Sequence, residues 1–369
     1  MKTNLYVSVA CVVTLLFASC SKETIAPEPQ PGERTARLEL ALEGTHTANG
    51  RATGGALPTS EGNIKTIAVG VFNSDGSVNV IAEPTAVQNG SALTAINCMP
   101  GTVSIIVVAN APAGTFAGVM TKSAFVDKTV ALSATQTANA QTSDNLPMSG
   151  EATSVALTAG SNKAQTISLS RLVARISISS IKTAFDANGA YKSATFKPEK
   201  VFLYNAMSVS PVTPSSTPQP VATTPIHGAT APNGAYAAGT AWLLDTFTGT
   251  ANTEYKTPHW FYTFANDGKA TPTKLVISGQ FDADGTGTSA AATTVYYPIV
   301  VNKAQAGTTI SGSGNGDSSI KRNSEYKLTA IIKSKGVNDP ATDIEPATLT
   351  LTVNVAAWAL TLTQDVTFE

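Results

Sequence analysis

The sequence alternates strictly across Arg37-Leu38-Glu39-Leu40-Ala41-Leu42-Glu43, where every second residue is a leucine. In an extended chain the three leucines lie on one side, while Ala41 and the two glutamates lie on the other. A period of two with one apolar side is typical of a half-buried β-strand, whereas an amphipathic helix repeats every 3.6 residues. The stretch therefore predicts a strand whose leucine side faces an apolar core.

The same alternation recurs along most of the chain. Apolar positions alternate before and after the turn-forming run Asn73-Ser74-Asp75-Gly76-Ser77, which predicts a β-hairpin over residues 66–82. Many short strands separated by turn residues predict an all-β fold with two β-sandwiches in series. Further strands are predicted at residues 103–109, 153–157, 165–169, 175–179, 200–204, 260–264, 274–278, 295–301, 326–332 and 347–369, and a short helix at 117–127.

The pattern of the chain changes near Arg171, where Gly/Ser/Thr-rich connections give way to a new set of strands. We therefore predict a domain boundary at that point. Residues 208–240 are dense in Pro, Ser, Thr, Gly and Ala and lack periodicity, which predicts a long surface loop.

Charge is scarce and nearly balanced. The 369 residues contain 24 Lys+Arg and 25 Asp+Glu, a formal net charge of -1, and only 13% of residues are charged. Nucleic-acid binders neutralise phosphates with a concentrated basic face, which this composition does not provide. We therefore expect no nucleic-acid partner.

Known catalytic and metal-binding motifs are missing from the sequence. The three histidines, His46, His227 and His259, lie far apart, and none has a Cys or Glu at metal-ligand spacing. There is no Gly-x-Ser-x-Gly elbow, phosphate-binding loop or His-Glu-x-x-His sequence. We therefore expect neither enzymatic activity nor a cofactor or metal.

Two local patterns each have two interpretations. Residues 281–287 contain part of a calcium loop but lack its remaining ligands, so we favour an Asp-Gly turn. The run Trp260-Phe261-Tyr262-Thr263-Phe264 is interpreted as a core strand, with an exposed sugar platform as the alternative. In that alternative the protein is a monomeric lipoprotein that binds glycans through Trp260 or Tyr262.

The first twenty residues have the features of an export signal. Lys2 precedes an apolar run over residues 5–18, which is too short to span a bilayer. The run ends in Leu16-Phe17-Ala18-Ser19-Cys20, which resembles a bacterial lipoprotein signal whose cysteine becomes the lipidated first residue. An ordinary signal peptide with an incidental cysteine is the alternative. Cys11 would leave with the signal and Cys20 would carry lipid, so Cys98 remains as the single free thiol, which we expect to be buried and inert.

Residues 45–55 form a stretch of small residues that carries one arginine, Arg51. The stretch lies between two predicted strands, and flexible segments of this kind are preferred sites of proteolysis. It is interpreted as a protease-accessible linker, with a simply solvated arginine as the alternative.

The chain end changes its alternation once. Apolar positions alternate over residues 349–355, switch parity across Ala356-Ala357-Trp358, and continue in a second row. A parity switch sends side chains to the other face, so it predicts a bulge or break between two strands. The final strand either folds back within its own domain or leaves it and pairs elsewhere. Its apolar row consists of Leu360, Leu362, Val366 and Phe368.

Seven stretches occur in an order and spacing that carry a family resemblance over nearly the whole chain. They are the lipoprotein end at Cys20, Asn49-Gly50-Arg51-Ala52, Arg171-Leu172-Val173-Ala174-Arg175, Phe196-Lys197-Pro198-Glu199-Lys200, Val295-Tyr296-Tyr297-Pro298-Ile299-Val300-Val301-Asn302, Lys321-Arg322-Asn323-Ser324-Glu325-Tyr326-Lys327, and the closing strand with Trp358. Together they resemble the FimA-type major fimbrial subunits of Bacteroidales, best known from Porphyromonas. The family's frequent Gly-Pro-Gly after the strand at 326–333 is replaced here by Ser334-Lys335-Gly336.

The resemblance implies two transthyretin-like β-sandwich domains in series and a structural role as the shaft subunit of an adhesive fimbria. It implies a precursor that is lipidated at Cys20, attached to the outer membrane through that lipid, and then cut by an Arg-specific protease between Arg51 and Ala52. On this interpretation the chain divides into a signal peptide (1–20), a propeptide (21–51), a first domain (52–171) and a second domain (172–369).

The resemblance also implies how subunits assemble. Loss of residues 21–51 would remove the strand with Leu38, Leu40 and Leu42 and leave an apolar groove, which a neighbour's closing strand then fills. A head-to-tail contact does not close on itself, so it builds a filament. The implied partners are copies of the chain, accessory tip and anchor pilins, the protease, and host or bacterial surface receptors. A tip or anchor subunit of the same pilus is the alternative role.

Overall fold

A computed structural model of the chain describes residues 35–44, 60–83, 95–135, 140–215, 224–229, 240–287, 292–345 and 348–358. Most of the regular structure in these ranges is β-strand, as the alternation predicts. The one α-helix among them, α1 (Lys122–Val126), begins after Thr121, whose side-chain oxygen accepts a hydrogen bond from the Ala124 amide. The all-β class, with two sandwich units in series, is confirmed.

Eighteen strands are present within the described ranges. They are β1 (Ala36–Gly44), β2 (Ile67–Asn73), β3 (Val78–Ala82), β4 (Ile96–Cys98), β5 (Gly101–Ala109), β6 (Thr129–Ala131), β7 (Met148–Leu157), β8 (Asn162–Arg171), β9 (Val173–Thr183), β10 (Thr195–Tyr204), β11 (Val209–Pro211), β12 (Leu244–Thr246), β13 (His259–Phe264), β14 (Lys274–Asp282), β15 (Ala292–Val300), β16 (Thr308–Gly312), β17 (Ser324–Ile332) and β18 (Leu349–Ala357). Short 3-10 turns occur at Leu132–Thr135 and Ala241–Leu243.

The first unit consists of seven strands in the hydrogen-bonded order β3-β2-β5-β7-β8-β1-β4. β7 and β8 pair through only two residue pairs, Met148–Arg171 and Ser149–Ser170. Because the two strands separate beyond these pairs, the series folds into two layers, β3-β2-β5-β7 and β8-β1-β4. One apolar core, built from both layers, lies between them.

The outer face of the β2–β5 layer is also apolar, and it packs against the loop and helix that follow β5. The rings of Phe116 and Phe125 stack at 4.1 Å between centroids, and Phe72 meets Phe125 edge to face at 5.3 Å. Gly70 is required beneath these rings, because a Cβ there would lie 2.6 Å from the Phe72 ring. This second core continues without interruption into the other unit.

The second unit contains a four-stranded sheet, β12-β10-β14-β15, and a five-stranded sheet, β13-β9-β17-β18-β16. Within the larger sheet β18 lies between two partners. It runs antiparallel to β17 over nine residue pairs and parallel to β16 over five. Large buried aromatic side chains, among them Phe196, Tyr297 and Tyr326, fill the core of this unit.

The strands change sheet between β8 and β9, where the sequence predicts a domain boundary. However, β6, which precedes Arg171 in the chain, pairs with β11, which follows it. The larger apolar core also contains residues of both units. The division into domains at Arg171 therefore stays a prediction.

The predicted surface loop over residues 208–240 is wrong at its start. β11 lies there, and both Ser210 and Val212 are buried. Arg322 holds this strand in place, because its Nη2 donates to the Ser210 hydroxyl at 3.2 Å and to the Pro211 carbonyl at 3.3 Å. A strand of three residues is too short to produce a detectable period of two.

Candidate functional site

Strand β1 is an interior strand of the first unit, although it comes first in the described chain. It runs parallel to β8 over eight residue pairs, from Arg37–Asn162 to Gly44–Leu169. On its other side it pairs antiparallel with the short strand β4. At Arg37 and Leu38 both edges of β1 are therefore paired, and removal of the strand would leave β8 and β4 with free edges facing each other across an empty strand position.

The apolar side of β1 faces the core as the sequence predicts. Leu38, Leu40 and Leu42 are buried, and Leu40 keeps only 1% of its surface exposed. They share one core with residues from the opposite layer, including Val69 and Val107. The opposite side of β1 is exposed or half-buried, and Glu43 there accepts a hydrogen bond from the Ser168 hydroxyl at 2.8 Å. The predicted strand and its orientation are confirmed, and we call the position that β1 occupies between β8 and β4 the β1 slot.

Cys98 is the last residue of β4 and lies beside the slot. Its Cα is paired with that of Ala36 in β1, and the side chain is 2% exposed. Burial raises the pKa of the Cys98 thiol to about 11, so the thiol is protonated and unreactive at neutral pH. The expectation of a buried, inert thiol agrees with this geometry.

A second feature is a buried group of charged and aromatic side chains where the two units meet. Glu61 precedes β2, Arg171 ends β8, Arg175 and Glu325 lie on the paired strands β9 and β17, and Tyr262 lies on β13. Trp358 directly follows β18. All six side chains are buried, and we call them the Glu61 cluster.

The carboxylate of Glu61 is the centre of this cluster. Its two oxygens accept hydrogen bonds from Nη1 of Arg175 at 2.5 and 2.6 Å. Tyr262 Oη donates to Oε1 at 2.6 Å, and Trp358 Nε1 donates to Oε2 at 3.2 Å. Glu325 binds the other terminal nitrogen of Arg175 at 2.5 Å, so this arginine lies between two carboxylates.

The indole ring of Trp358 is enclosed on both sides. Its ring stacks on Tyr262 at 5.7 Å between centroids with an 11° angle between planes. The guanidinium carbons of Arg171 and Arg175 lie 4.1 and 4.8 Å from the indole centroid, which is cation–π distance. Arg171 also donates from Nε to the Glu61 carbonyl at 3.2 Å and from Nη1 to the Trp358 carbonyl at 3.4 Å.

The pKa values in the cluster follow from burial and charge. Burial lowers the pKa of Arg171 to about 10, with the nearby Arg175 adding to the decrease and Glu61 opposing it. For Arg175 burial acts in the same direction, but the attraction of Glu61 and Glu325 outweighs it, so its pKa is raised. Burial and the neighbouring Glu61 carboxylate raise the pKa of Tyr262, which keeps the phenol protonated as a donor.

The closing part of the chain is described as far as Trp358. Val353 and Val355 are buried in β18, whereas Ala357 is exposed and the next residue, Trp358, is buried. β18 ends at Ala357, within the stretch where the sequence predicts the parity switch. The row that follows, Leu360, Leu362, Val366 and Phe368, lies outside the described residues, as do Cys20, Arg51 and Ala52.

The remaining candidates have structural surroundings. The ring of His227 stacks on Tyr204 at 4.3 Å, and Nδ1 of His259 lies 2.7 Å from Asp245, while His46 is outside the described residues. Among the described residues no group of three or more His, Cys, Asp and Glu side chains is arranged to hold a metal ion. In the same ranges there is no helix of sufficient length and apolarity to cross a membrane.

The two ambiguous patterns are resolved by burial and hydrogen bonding. The residues that follow β14 form a turn in which the carboxylate of Asp282, the last residue of β14, accepts hydrogen bonds from the amides of Gly285 and Gly287. The aromatic run is β13, and Tyr262 is completely buried in the Glu61 cluster while Trp260 is half-buried. Tyr262 is therefore a core residue and not part of an exposed platform.

The Glu61 cluster was not predicted. One signal was available, since Arg171 and Arg175 interrupt an otherwise apolar stretch four residues apart. Their acidic partners lie 110 or more residues away in sequence, and only the folded arrangement brings them together.

Comparisons with known proteins agree with this architecture. A family described as major fimbrial subunit protein (FimA) matches residues 36–193, and a FimA4 pilin C-terminal domain matches residues 279–358. The two matches together span well over half of the chain. A major fimbrium subunit FimA type-3 of Porphyromonas gingivalis is 24% identical, with 94% of this chain and 95% of the relative aligned.

Solved structures show the same fold. A fimbrilin (FimA) from Porphyromonas gingivalis W83 superposes with a TM-score of 0.69 at 22% identity, covering 89% of this chain and 99% of that one. A protein described as functioning in cell adhesion, from Bacteroides eggerthii, gives a TM-score of 0.64 at 24% identity, with coverages of 90% and 98%. The relatives are fimbrial subunits and cell adhesion proteins, not enzymes. The chain thus belongs to the FimA family of major fimbrial subunits and is a structural pilin of adhesive fimbriae.

Proposed function

We propose that this pilin is a shaft subunit that polymerises by strand exchange after proteolysis at Arg51. The observation that carries the proposal is the interior position of β1, which is bonded on both edges yet is joined to β2 through the stretch that contains Arg51. Cleavage after Arg51 would cut the covalent link between β1 and the body of the protein. Dissociation of residues 21–51 would then open the β1 slot.

The slot suits a replacement strand. Its floor is the apolar core that β1 covers, and its two rims are the hydrogen-bonding edges of β8 and β4. Exposed strand edges and uncovered apolar surface both favour pairing with another chain. A processed subunit without a replacement strand would therefore be unstable or aggregation-prone, and an incoming strand would relieve both defects.

The end of the chain has the pattern of such a strand. The nine residues from Leu360 to Phe368 equal β1 in length and alternate with the same period of two. Gln364 occupies the middle of the row, so four of its five inward positions are apolar. At roughly 1.5 to 3 kcal/mol per side chain, burial of these four would contribute about 6 to 12 kcal/mol before ordering costs are subtracted.

The remaining parts of the proposal rest on the sequence. Export as a lipoprotein through Cys20, residence of the precursor at the outer membrane and cleavage by an Arg-specific protease follow from the signal pattern and the family resemblance. The mature subunit would then reside in a cell-surface fimbria, together with accessory tip and anchor pilins, and contact host or bacterial surface receptors.

Truncation of the closing segment tests the proposal. A chain that lacks residues 360–369 keeps β18 and Trp358, so it should fold and be cut at Arg51. After processing it should remain monomeric by size-exclusion chromatography and electron microscopy, while the full chain forms filaments. Filaments of normal length from the truncated chain would place the donor strand elsewhere and refute strand exchange by this segment.

A matched variant separates loss of the strand from loss of its apolar row. Changing Leu362 and Val366 to Asn keeps the length of the segment but removes half of the apolar side chains. The proposal expects this variant to polymerise far less than the parent chain. A second variant that changes Thr361 and Thr363, on the opposite side of the same strand, to Asn should polymerise normally.

A further inference from the structure

The Glu61 cluster connects the chain segments that flank the two exchanging strands. Glu61 is the tenth residue after Arg51, and Trp358 immediately precedes the segment 359–369. Glu61 and Arg171 come from the first unit, whereas Arg175, Tyr262 and Trp358 come from the second. The bonds among these residues therefore hold Trp358, which precedes the closing segment, in a fixed position relative to the β1 slot.

We infer that Glu61, Arg171, Arg175 and Tyr262 are positioning residues for assembly, which hold Trp358 so that the closing segment leaves the subunit at a fixed point and in a fixed direction. The inference rests on the proposed strand exchange and adds the group that orients its donor strand. In a head-to-tail filament, the relation between a subunit's own slot and its outgoing strand sets the placement of every following subunit.

Trp358 is fixed through its main chain and its side chain. Its amide donates to the Asn323 carbonyl at 2.9 Å, and its carbonyl accepts from Arg171. Its indole donates to Glu61 while lying against Tyr262 and the arginines. Both peptide groups of Trp358 and its ring are therefore held by buried partners.

The chemistry of the cluster exceeds what core packing requires. Apolar residues of similar volume often stabilise a buried position as well as an ion group does or better, so buried charges are weak evidence for a role in stability alone. Their hydrogen bonds have defined directions, whereas apolar contacts tolerate rotation and sliding. A directional network at the base of a strand that must enter another subunit is consistent with positioning.

Two variants test the inference in the full chain. Trp358→Phe keeps a ring that stacks on Tyr262 but removes the donor to Glu61, and Glu61→Gln keeps an acceptor oxygen but removes the charge. Lys274→Met serves as the matched control. Lys274 is equally buried in the second unit and binds the Ala341 carbonyl and Asp343, both at 2.8 Å, but takes no part in the Glu61 cluster.

Each chain is treated with an Arg-specific protease, checked for complete cleavage by mass spectrometry, and followed by light scattering and cryo-electron microscopy. We expect both cluster variants to fold and to be cut, yet to polymerise at least tenfold more slowly. Their filaments should show at least a twofold wider spread of the rotation between neighbouring subunits. The Lys274→Met chain should match the parent in both measures, even if its melting temperature falls as much as those of the cluster variants.

The outcomes separate this inference from the proposed function. If the chain without residues 360–369 fails to polymerise while both cluster variants assemble at the parental rate and regularity, only the positioning role is overturned. Equal assembly defects in Lys274→Met at equal loss of thermal stability would also overturn it, because stability alone would then explain the defect. Should Glu61→Gln not fold, Trp358→Phe decides by the same measurements.

Discussion

The indole Nε1 of Trp358 donates a hydrogen bond to the carboxylate of Glu61 at 3.2 Å, which joins residues 297 positions apart in the sequence. One residue lies shortly after the proposed cleavage site and the other directly before the proposed donor segment. The two segments that would change in the proposed strand exchange are thus attached to one buried group. On the proposed mechanism, this relationship connects the stability of the subunit to its assembly.

Removal of the Glu61 side chain should be strongly destabilising. Glu61→Ala leaves Arg175 with Glu325 as its remaining carboxylate and deprives Tyr262 and Trp358 of their acceptor. Breaking a buried ion pair by removal of one partner costs about 3 to 5 kcal/mol. Urea denaturation should therefore give a lower unfolding midpoint for Glu61→Ala than for Glu61→Gln, which retains an acceptor. Equal midpoints for the two variants would contradict the description of this carboxylate as a buried acceptor.

A core substitution in β1 should affect the precursor but not the polymer. Leu40→Ala leaves a cavity on the buried side of β1, where Leu40 is only 1% exposed, and such changes cost about 2 to 5 kcal/mol. The proposed cleavage at Arg51 would remove the substituted strand, so filaments from the variant should dissociate at the same guanidinium concentration as parental filaments. A persistent difference between the filaments would mean that β1 stays in the assembled subunit.

Val107 provides the matched control for this comparison. It is completely buried on β5 in the same core but belongs to the part of the chain that remains after cleavage. Val107→Ala removes two methylene equivalents, at about 0.8 kcal/mol each plus a cavity contribution. It should therefore weaken both precursor and polymer.

Sequence alone predicted the strands that alternate over five or more residues, and it did not predict features that depend on distant partners. β1 and the β2–β3 hairpin follow from a period of two, and the sequence also predicts β9, β10, β13, β14, β15, β17 and β18 of the second unit, but not β12 or β16. β4, β6 and β11 have three residues each, too few to show a period, and their pairing decides their structure. The interior position of β1, parallel to β8, is likewise set by a partner about 125 residues away.

The same division applies to the site. The leucine side of β1 could be predicted because burial and alternation are local properties. The Glu61 cluster could not, since nothing local distinguishes Glu61 from other acidic residues that follow a small-residue stretch. Its role depends on Arg175 and Trp358, which are 114 and 297 residues away.

The pair between Lys274 and Asp343 should make stability depend on acid pH. The hydrogen bond from the buried Lys274 lowers the pKa of Asp343, and Lys303 adds to this effect. A carboxyl group with a lower pKa in the folded than in the unfolded state stabilises the fold above its unfolded pKa of about 3.9 and loses that contribution as the pH falls through the folded value. At pH 7 the parent should therefore have a higher melting temperature than Asp343→Asn. The difference between the two melting temperatures should shrink below pH 4. A difference that stays constant down to pH 2 would rule out ionisation of Asp343 as its cause.

Arg51 should be essential for processing, whereas Arg37 should not. Arg37 lies within β1 with its backbone paired on both sides, and paired strands are poor protease substrates because cleavage needs a locally unfolded chain. Arg51→Ala should leave an uncut, monomeric precursor after treatment with an Arg-specific protease. Arg37→Ala should be cut and polymerise like the parent. Mass spectrometry of the products and electron microscopy of the filaments give both readouts, and filaments of normal length from Arg51→Ala would refute the assignment.

Cys98 offers a direct readout of whether the β1 slot opens. A chain that begins at Ser21 has Cys98 as its only cysteine, so any thiol labelling comes from β4. While β1 is present the thiol is buried and its pKa is raised to about 11, so at pH 8 very little of it is the reactive thiolate. Loss of β1 removes Ala36, the residue paired with Cys98, and exposes the thiol to water, where its pKa returns toward about 8.5.

The labelling rate with a chromogenic disulfide at pH 8 should therefore change twice during assembly. It should be slow in the precursor, at least tenfold faster in the processed monomer that lacks residues 360–369, and slow again in filaments of the full chain. The truncated precursor before proteolysis serves as the control, because it lacks the donor segment but keeps β1, and it should label as slowly as the full precursor. Slow labelling of the processed, truncated monomer would mean that β1 stays in place after cleavage or that the gap closes within the subunit. Either result would leave no slot for a neighbour's strand, since an incoming segment needs the β8 and β4 edges that β1 occupies in the precursor.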